Sequence, residues 1–203
     1  MSEARIGRIV VAALHQALAD HLPLRLEFYE TYLRPSGMRA GTIGVASFSA
    51  ALSFLRAEGQ AYDPVVRAAG HHAAEWVFAT LPAIHRAWLR RLPGAWRTRS
   101  ALKLTARLTA MTVRGARGRI TGSRGHRRLG VEGSPFCGTR LRPDTPLCGF
   151  YAAALQRFFD LLAVTASADA VQCRATGAEA GVVEVAAVDP VAVVTPQHSG
   201  GVL

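Results

Sequence analysis

Apolar side chains recur every three to four positions over much of the chain, the spacing that places them on one face of a helix. The first stripe, Ile6, Val10, Leu14 and Leu18, predicts a helix over about 4–22 that ends before Pro23. The later stripes predict helices over about 47–57, 64–80, 95–113 and 147–162, with a short one that contains Trp88, Leu89 and Leu92. The segment 24–33 fits no single pattern. Asp63-Pro64 is typical of a helix N-cap followed by a first-turn proline.

Two pairs of short β-compatible segments complete the pattern. Residues 119–121 and 128–131 predict one hairpin, and 170–174 and 182–188 predict a second one around Gly177. Helices that outnumber strands in this way predict an α+β fold, a mainly helical domain packed on a small antiparallel sheet. We assign this single domain to 1–190. The last stretch, 191–203, is rich in small residues, proline and glycine, and is predicted to be a flexible tail.

Composition narrows the class of protein. The chain has 203 residues, of which 50% are hydrophobic. A chain of this length and composition can bury a core, and this excludes an intrinsically disordered protein. No apolar run reaches the length of about 18 residues that a membrane-spanning helix needs. The first residues lack the basic and apolar regions of a signal peptide, so a cytoplasmic location is expected. Three cysteines are too few for a disulfide scaffold.

The positive charge is concentrated in one region. The net charge is +10, and no aspartate or glutamate occurs from Trp76 to Val131. Within that region, a segment with Trp88 and Trp96 carries a basic patch formed by Arg86, Arg90, Arg91, Arg97 and Arg99. This composition fits a helix that lies on an anionic membrane, such as the inner membrane face, and equally a core-packed helix with a basic outer face. Nucleic acid is disfavoured as a partner because no zinc-finger, RNA-binding or helix-turn-helix signature is present.

The segment 133–188 carries a resemblance to a known family. Cys148 opens a helix and is followed by Phe150 and Tyr151, while Cys173 comes four residues before Gly177 and precedes the last strand. This order resembles the 4-vinyl reductase domain family, which is related to transport-protein-particle subunits and phenol-sensor domains. More loosely, the upstream run 67–76 resembles the bacteriochlorophyll 4-vinyl reductase type. The resemblance implies helices on an antiparallel sheet, a homodimer, and an apolar pocket for a small molecule such as a tetrapyrrole.

The resemblance also implies where a metal would bind. Family members that hold zinc use three cysteines and one glutamate, and Cys148 and Cys173 match two of these positions. The glutamate position is Ala170 and the third cysteine position is Gly181. Cys137 lies in a stretch that we expect to be flexible, so we interpret Cys148 and Cys173 as remnants of a degenerate site and predict no metal. No cofactor is predicted either, since the chain lacks a strand–GxGxxG–helix unit for a dinucleotide.

The expected ligand pocket lies between the helices 64–80 and 147–162 and the sheet. Its predicted ligand-binding residues are His72, Trp76, Phe150, Tyr151 and Phe158. His72 falls between Ala69 and Trp76 on the apolar face, where it fits either a metal-porphyrin ligand or a hydrogen-bonded core histidine.

Three functions follow from these residues and from the resemblance. The first is a binding protein that carries an apolar, tetrapyrrole-like, planar aromatic or lipid ligand. The second is a vinyl-group reductase of a bacteriochlorophyll precursor that uses an external electron donor. The third is a dimeric interaction or sensor module. The sequence leaves open whether the protein is an enzyme.

Overall fold

Seven helices form most of the computed structural model, which describes residues 5–33, 42–123, 126–138 and 143–187. The helices are α1 (Arg8–His21), α2 (Leu26–Leu33), α3 (Val45–Ala57), α4 (Tyr62–Ala79), α5 (Ala83–Arg91), α6 (Gly94–Thr112) and α7 (Gly149–Leu161). The predicted tail, 191–203, lies outside the described residues. None of the described helices is long and apolar enough to span a bilayer.

The strands form two antiparallel sheets. A small one pairs β1 (Arg5–Gly7) with β2 (Thr42–Gly44). The larger one contains β3 (Arg117–Ser123), β4 (His126–Glu132), β5 (Ala166–Gln172) and β6 (Gly181–Ala187), in the order β3-β4-β6-β5. Both predicted hairpins are present, and β4–β6 pairing joins them. Gly177 takes a left-handed conformation with φ of 97°, which a glycine adopts without steric cost. The α+β fold is therefore confirmed.

Two local predictions are corrected at element boundaries, and one undecided segment is assigned. Residues 5–7, expected to open the first helix, form β1, and Ile6 pairs with Ile43. The undecided segment 24–33 is largely helical and forms α2. Asp63 lies inside the first turn of α4 rather than at its N-cap, because a 3-10 turn over Gly59–Ala61 leads directly into the helix. The Asp63 carboxylate instead accepts a hydrogen bond of 2.9 Å from Arg67 Nε.

The core is built around α4 and α7, the two helices with the most extensive mutual packing. Gly70 of α4 allows this approach, because a Cβ at this position would lie 2.3 Å from the carbonyl oxygen of Phe150. On its other sides α7 packs against α6 and β5, while α6 covers β3. The helix α7 is thus enclosed by helices and sheet, and its first residue follows Cys148 directly.

Candidate functional site

Three thiols meet at the N-terminal end of α7. The Sγ atom of Cys148 lies 2.7 Å from that of Cys137 and 3.0 Å from that of Cys173, and the remaining Sγ–Sγ distance is 3.1 Å. Cys148 and Cys173 have no exposed surface, and Cys137 is 8% exposed. We refer to these three residues as the thiol centre.

Each cysteine of the thiol centre comes from a different local structure. Cys137 ends a 3-10 turn over Pro135–Cys137, Cys148 is the N-cap residue of α7, and Cys173 follows β5. The turn that contains Cys137 is held in place because the Ser134 hydroxyl accepts a hydrogen bond of 3.2 Å from the Phe136 backbone N–H. Segments that are distant in sequence therefore converge on one buried point.

The placement of Cys137 corrects the sequence interpretation. This residue was expected in a flexible stretch, but Pro135, Phe136 and Cys137 are all buried. Phe136 stacks on Phe150 with ring centroids 4.5 Å apart and makes an edge contact with Phe48 at 5.7 Å. A short apolar run, Pro-Phe-Cys, within a polar and glycine-rich stretch was the sequence signal that could have shown this burial.

Gly181 lies beside the thiol centre. A Cβ on Gly181 would lie 3.1 Å from the Sγ atom of Cys148. The position at which the family resemblance places a third cysteine therefore faces the thiol centre, although the side chain there is absent. In this chain the third sulfur belongs to Cys137, which precedes Cys148 in the sequence, whereas Gly181 follows Cys173.

The close sulfur contacts change how the thiols ionise. Hydrogen bonding with Cys137 and Cys148 lowers the pKa of Cys173, whereas hydrogen bonding with Cys137 and Cys173 raises the pKa of Cys148. Three sulfurs in contact cannot all carry a negative charge unless a cation neutralises them. Ionisation of Cys173 is therefore favoured over that of Cys148.

Two tyrosines surround the thiol centre. Burial raises the pKa of Tyr62 to about 12, and its hydroxyl donates a hydrogen bond of 3.5 Å to the carbonyl oxygen of Leu147. Burial also raises the pKa of Tyr151, whose hydroxyl lies beside Ser134 and Thr112 but forms no hydrogen bond of good geometry with the described residues. Both hydroxyl groups therefore remain protonated near pH 7.

A cleft opens on the Tyr62 side of the thiol centre. Its volume is about 460 Å³, and its lining residues are Arg56, Gly59, Gln60, Tyr62, Asp63, Pro143, Thr145 and Leu147. The Arg56 guanidinium lies 5.6 Å from the Tyr62 ring centroid and donates a hydrogen bond of 2.8 Å to the carbonyl oxygen of Phe136. Its Nε atom is buried and has no partner among the described residues. Sequence reasoning did not identify this cleft, because its walls come from α3, α4 and the segment before α7.

The structure places the predicted ligand-binding aromatics in the packed core. Phe150, Tyr151 and Phe158 have no exposed surface, and the Phe150 and Tyr151 rings contact each other edge to face at 5.2 Å. None of the five predicted residues lines the cleft or a second, open depression around Gly177. A ligand would reach these three rings only by displacing core packing.

His72 and Trp76 lie together near the surface instead. The two rings stack at 5.9 Å, and His72 Nε2 lies 2.8 Å from the Asp20 carboxylate of α1. The fully buried face of α4 runs through Ala69 and Ala73 and does not include His72, which corrects its assignment to the apolar face. Hydrogen bonds with Gln16 and His72 lower the pKa of Asp20. This histidine therefore connects α1 with α4.

The predicted basic patch divides into two groups. Arg90 donates a hydrogen bond of 3.0 Å to the carbonyl oxygen of Leu161, and Arg97 donates bonds of 3.0 and 2.7 Å to those of Leu162 and Ala163. These carbonyls end α7 and would otherwise lack partners, so the two arginines cap the helix. The side chains of Arg86, Arg91 and Arg99 form no hydrogen bond or ion pair with the described residues.

Comparison with known proteins gives one informative result. No family model matches the chain, and no curated protein matches it either. Among solved structures, the fold is similar to that of an H-NOX protein from S. oneidensis in the Fe(II)NO ligation state. The TM-score is 0.57 and the identity 11%, over 89% of this chain and 98% of that one. This likeness supports the α+β fold.

Proposed function

We propose that the protein is a binding protein whose thiol centre holds a thiophilic metal ion, with zinc as the first candidate. The observation that carries the proposal is the convergence of three buried sulfur atoms within 3.1 Å of one another. Among the described histidine, cysteine, aspartate and glutamate residues, these three form a group whose ligand atoms are close enough to share one ion. Thiolate ligands favour zinc, copper(I) and iron over magnesium or calcium.

The donor set fits a metal with one position left open. Structural zinc sites use four protein ligands, whereas sites that bind a further molecule keep three protein ligands and one exchangeable position. Cys137, Cys148 and Cys173 supply three, and Ala170 stands where the family resemblance places the fourth. The expectation of no metal rested on two matching cysteines, on a flexible Cys137 and on the lack of a fourth ligand. The buried third sulfur removes the first two reasons, and the missing fourth ligand fits a site open to a small exogenous ligand.

Two comparisons support a small-ligand role. The H-NOX protein of similar fold was solved with iron(II) and nitric oxide bound, so a chain of this fold can hold a small ligand at a metal. The resemblance to the 4-vinyl reductase domain family gains support because Cys148, Cys173 and Gly181 meet in space. Membership of that family, the homodimer and the reductase activity stay predictions.

Metal analysis tests the proposal directly. Protein purified under reducing conditions should contain about one metal ion per chain, and replacement of the ion by cobalt(II) should produce sulfur-to-cobalt charge-transfer absorption. The C148S variant should lose both, because Cys148 contacts both other sulfurs. The matched control S53A changes an exposed serine of α3, and it should retain both. Wild-type protein with three titratable thiols and no charge-transfer band on cobalt addition would refute the proposal.

The cleft beside the thiol centre favours a second, compatible function, the binding of a small organic molecule. A volume of about 460 Å³ is in the range of natural ligand pockets, and the cleft combines Tyr62, Pro143 and Leu147 with one guanidinium, that of Arg56. This combination suits a planar or lipid-like ligand with a carboxylate. The sequence predicts the same class of ligand, but it places the pocket elsewhere, beside the helices 64–80 and 147–162.

We expect protoporphyrin IX to bind with saturable stoichiometry and a shifted absorption band. T145W should weaken this binding by about tenfold, because the indole would fill the mouth of the cleft. A110W places the same side chain at an exposed position of α6 and should have no effect. Binding that does not saturate, or that both variants leave unchanged, would exclude the cleft as the site.

A further inference from the structure

The outer face of α5 exposes two large apolar residues beside arginines. Ile84, Trp88 and Arg91 are spaced four and three residues apart, so they share one face of the helix. The exposed fractions are 82% for Ile84 and 56% for Trp88, and Arg91 is also exposed. An exposed isoleucine next to an exposed tryptophan is unusual in a helix that only packs on its own core.

An exposed face of α6 has similar chemistry. Exposed residues follow each other at intervals of three or four positions along the helix, which places them in one stripe: Trp96, Arg99, Lys103, Arg107 and Met111. Trp96 is 56% exposed. The stripe begins with an indole, continues with three cations and contains no acidic residue. We refer to Ile84, Trp88, Arg91, Trp96 and this stripe as the α5–α6 surface.

The inner faces of both helices are fixed, so the α5–α6 surface cannot turn inward. In α5, the Leu89 side chain is buried in the core. The neighbouring Arg90 side chain donates a hydrogen bond to the end of α7. Arg97 anchors the first turn of α6 at the same place. The Arg90 guanidinium also lies 5.6 Å from the Phe78 ring centroid. What remains exposed is thus held rigidly in an outward position.

The charge of the α5–α6 surface is not neutralised within the described part of the chain. Arg91, Arg99, Lys103 and Arg107 have no ion-pair partner there. The ion pairs of the basic region lie on the sheet, between Arg119 and Glu132 and between Arg128 and Glu184. No acidic residue occurs from 76 to 131, so the charged side chains of α5 and α6 are all positive.

We infer that the α5–α6 surface docks on an anionic lipid bilayer. Tryptophan and isoleucine would enter the interfacial layer, and the arginines and Lys103 would contact lipid phosphates. A second copy of the chain is disfavoured on this face because two cationic surfaces would repel each other. Nucleic acid would engage the cations but would leave Ile84, which has no ring for stacking on bases, without a role.

Vesicle binding tests this inference. Cosedimentation should occur with phosphatidylcholine vesicles that contain about 30% phosphatidylglycerol, should be much weaker with phosphatidylcholine alone, and should decrease with salt. I84A and W88A should each weaken binding by about tenfold through lost interfacial contact. R91Q and R99Q should each weaken it by about fivefold. The matched controls are L24A, an exposed leucine outside the surface, and R119Q, an exposed arginine with an acidic partner, and both should bind like wild type.

Tryptophan fluorescence gives a second measurement in the intact protein. Anionic vesicles should shift the emission to shorter wavelength, and W88F/W96F should abolish the shift while Trp76, stacked on His72, remains. Circular dichroism checks that each variant is folded. The inference is overturned by equal binding to neutral and anionic vesicles, by binding that I84A and R91Q do not affect, or by binding to duplex DNA with no binding to vesicles.

Discussion

G70A is expected to destabilise the protein by about 3 kcal/mol, because an added methyl group would overfill the α4–α7 interface. A Cβ at this position would lie 2.3 Å from the Phe150 carbonyl oxygen and 3.1 Å from both the Ala154 backbone nitrogen and the Ala153 Cβ. Two of these atoms belong to the backbone of a fully enclosed helix, so no side-chain rotation can relieve the contact. The melting temperature should fall by about 6 to 12 °C for a chain of this size.

G94A is the matched control for this substitution. Gly94 also lies in a helix, at the first position of α6, but an added Cβ would meet nothing within 4 Å. Its stability should stay the same or rise by up to about 1 kcal/mol, since alanine restricts the unfolded chain. Thermal unfolding followed by circular dichroism measures both variants. Equal melting temperatures for G70A and wild type would show that α4 and α7 are not in the close contact described.

Removal of the metal is expected to lower the melting temperature of the metal-loaded protein by about 8 to 16 °C. An ion present at a thousand times its dissociation constant stabilises the folded state by about 4 kcal/mol, and each kcal/mol shifts the midpoint of a domain of this size by about 2 to 4 °C. The effect should be large because the three sulfurs join the turn before Gly138, the start of α7 and the end of β5. A metal site built from segments this far apart exists only in the folded chain.

A chelator titration monitored by calorimetry measures this effect. The control S53A, at an exposed serine of α3, should show the same shift as wild type, whereas C148S should unfold at one temperature with or without chelator. Metal content is determined on the same samples. A metal-loaded wild type whose midpoint does not move on chelation would show that the ion is bound without contributing to folding.

The sequence predicted the parts of the fold that depend on periodicity. The helices around Leu14, Phe48, Trp76, Leu108 and Leu155 and both hairpins are present, because long apolar stripes and alternating segments are determined locally. The strands β1 and β2 were missed because each has only three residues. Their stability comes from pairing between Ile6 and Ile43, a contact across 37 positions that no local pattern encodes.

The candidate site was predicted less well, for a related reason. Cys148 and Cys173 were recognised through the family resemblance, but Cys137 joins them from a different segment than the resemblance indicates. Phe150, Tyr151 and Phe158 were predicted to bind a ligand and are fully buried in the core, because apolar character does not distinguish a pocket wall from a filled core. Arg90 and Arg97 were grouped with the surface cations because their hydrogen-bond acceptors lie more than 60 residues away.

The way in which Arg90 and Arg97 end α7 has a consequence for sequence drift. Both guanidinium groups bind main-chain oxygens, those of residues 161 to 163, and every amino acid presents the same carbonyl. Substitution at these three acceptor positions leaves the attachment chemically intact, whereas substitution of either donor removes it. We therefore expect Arg90 and Arg97 to tolerate substitution poorly. The side chains at positions 161 to 163 should be free to change, as far as their own packing allows.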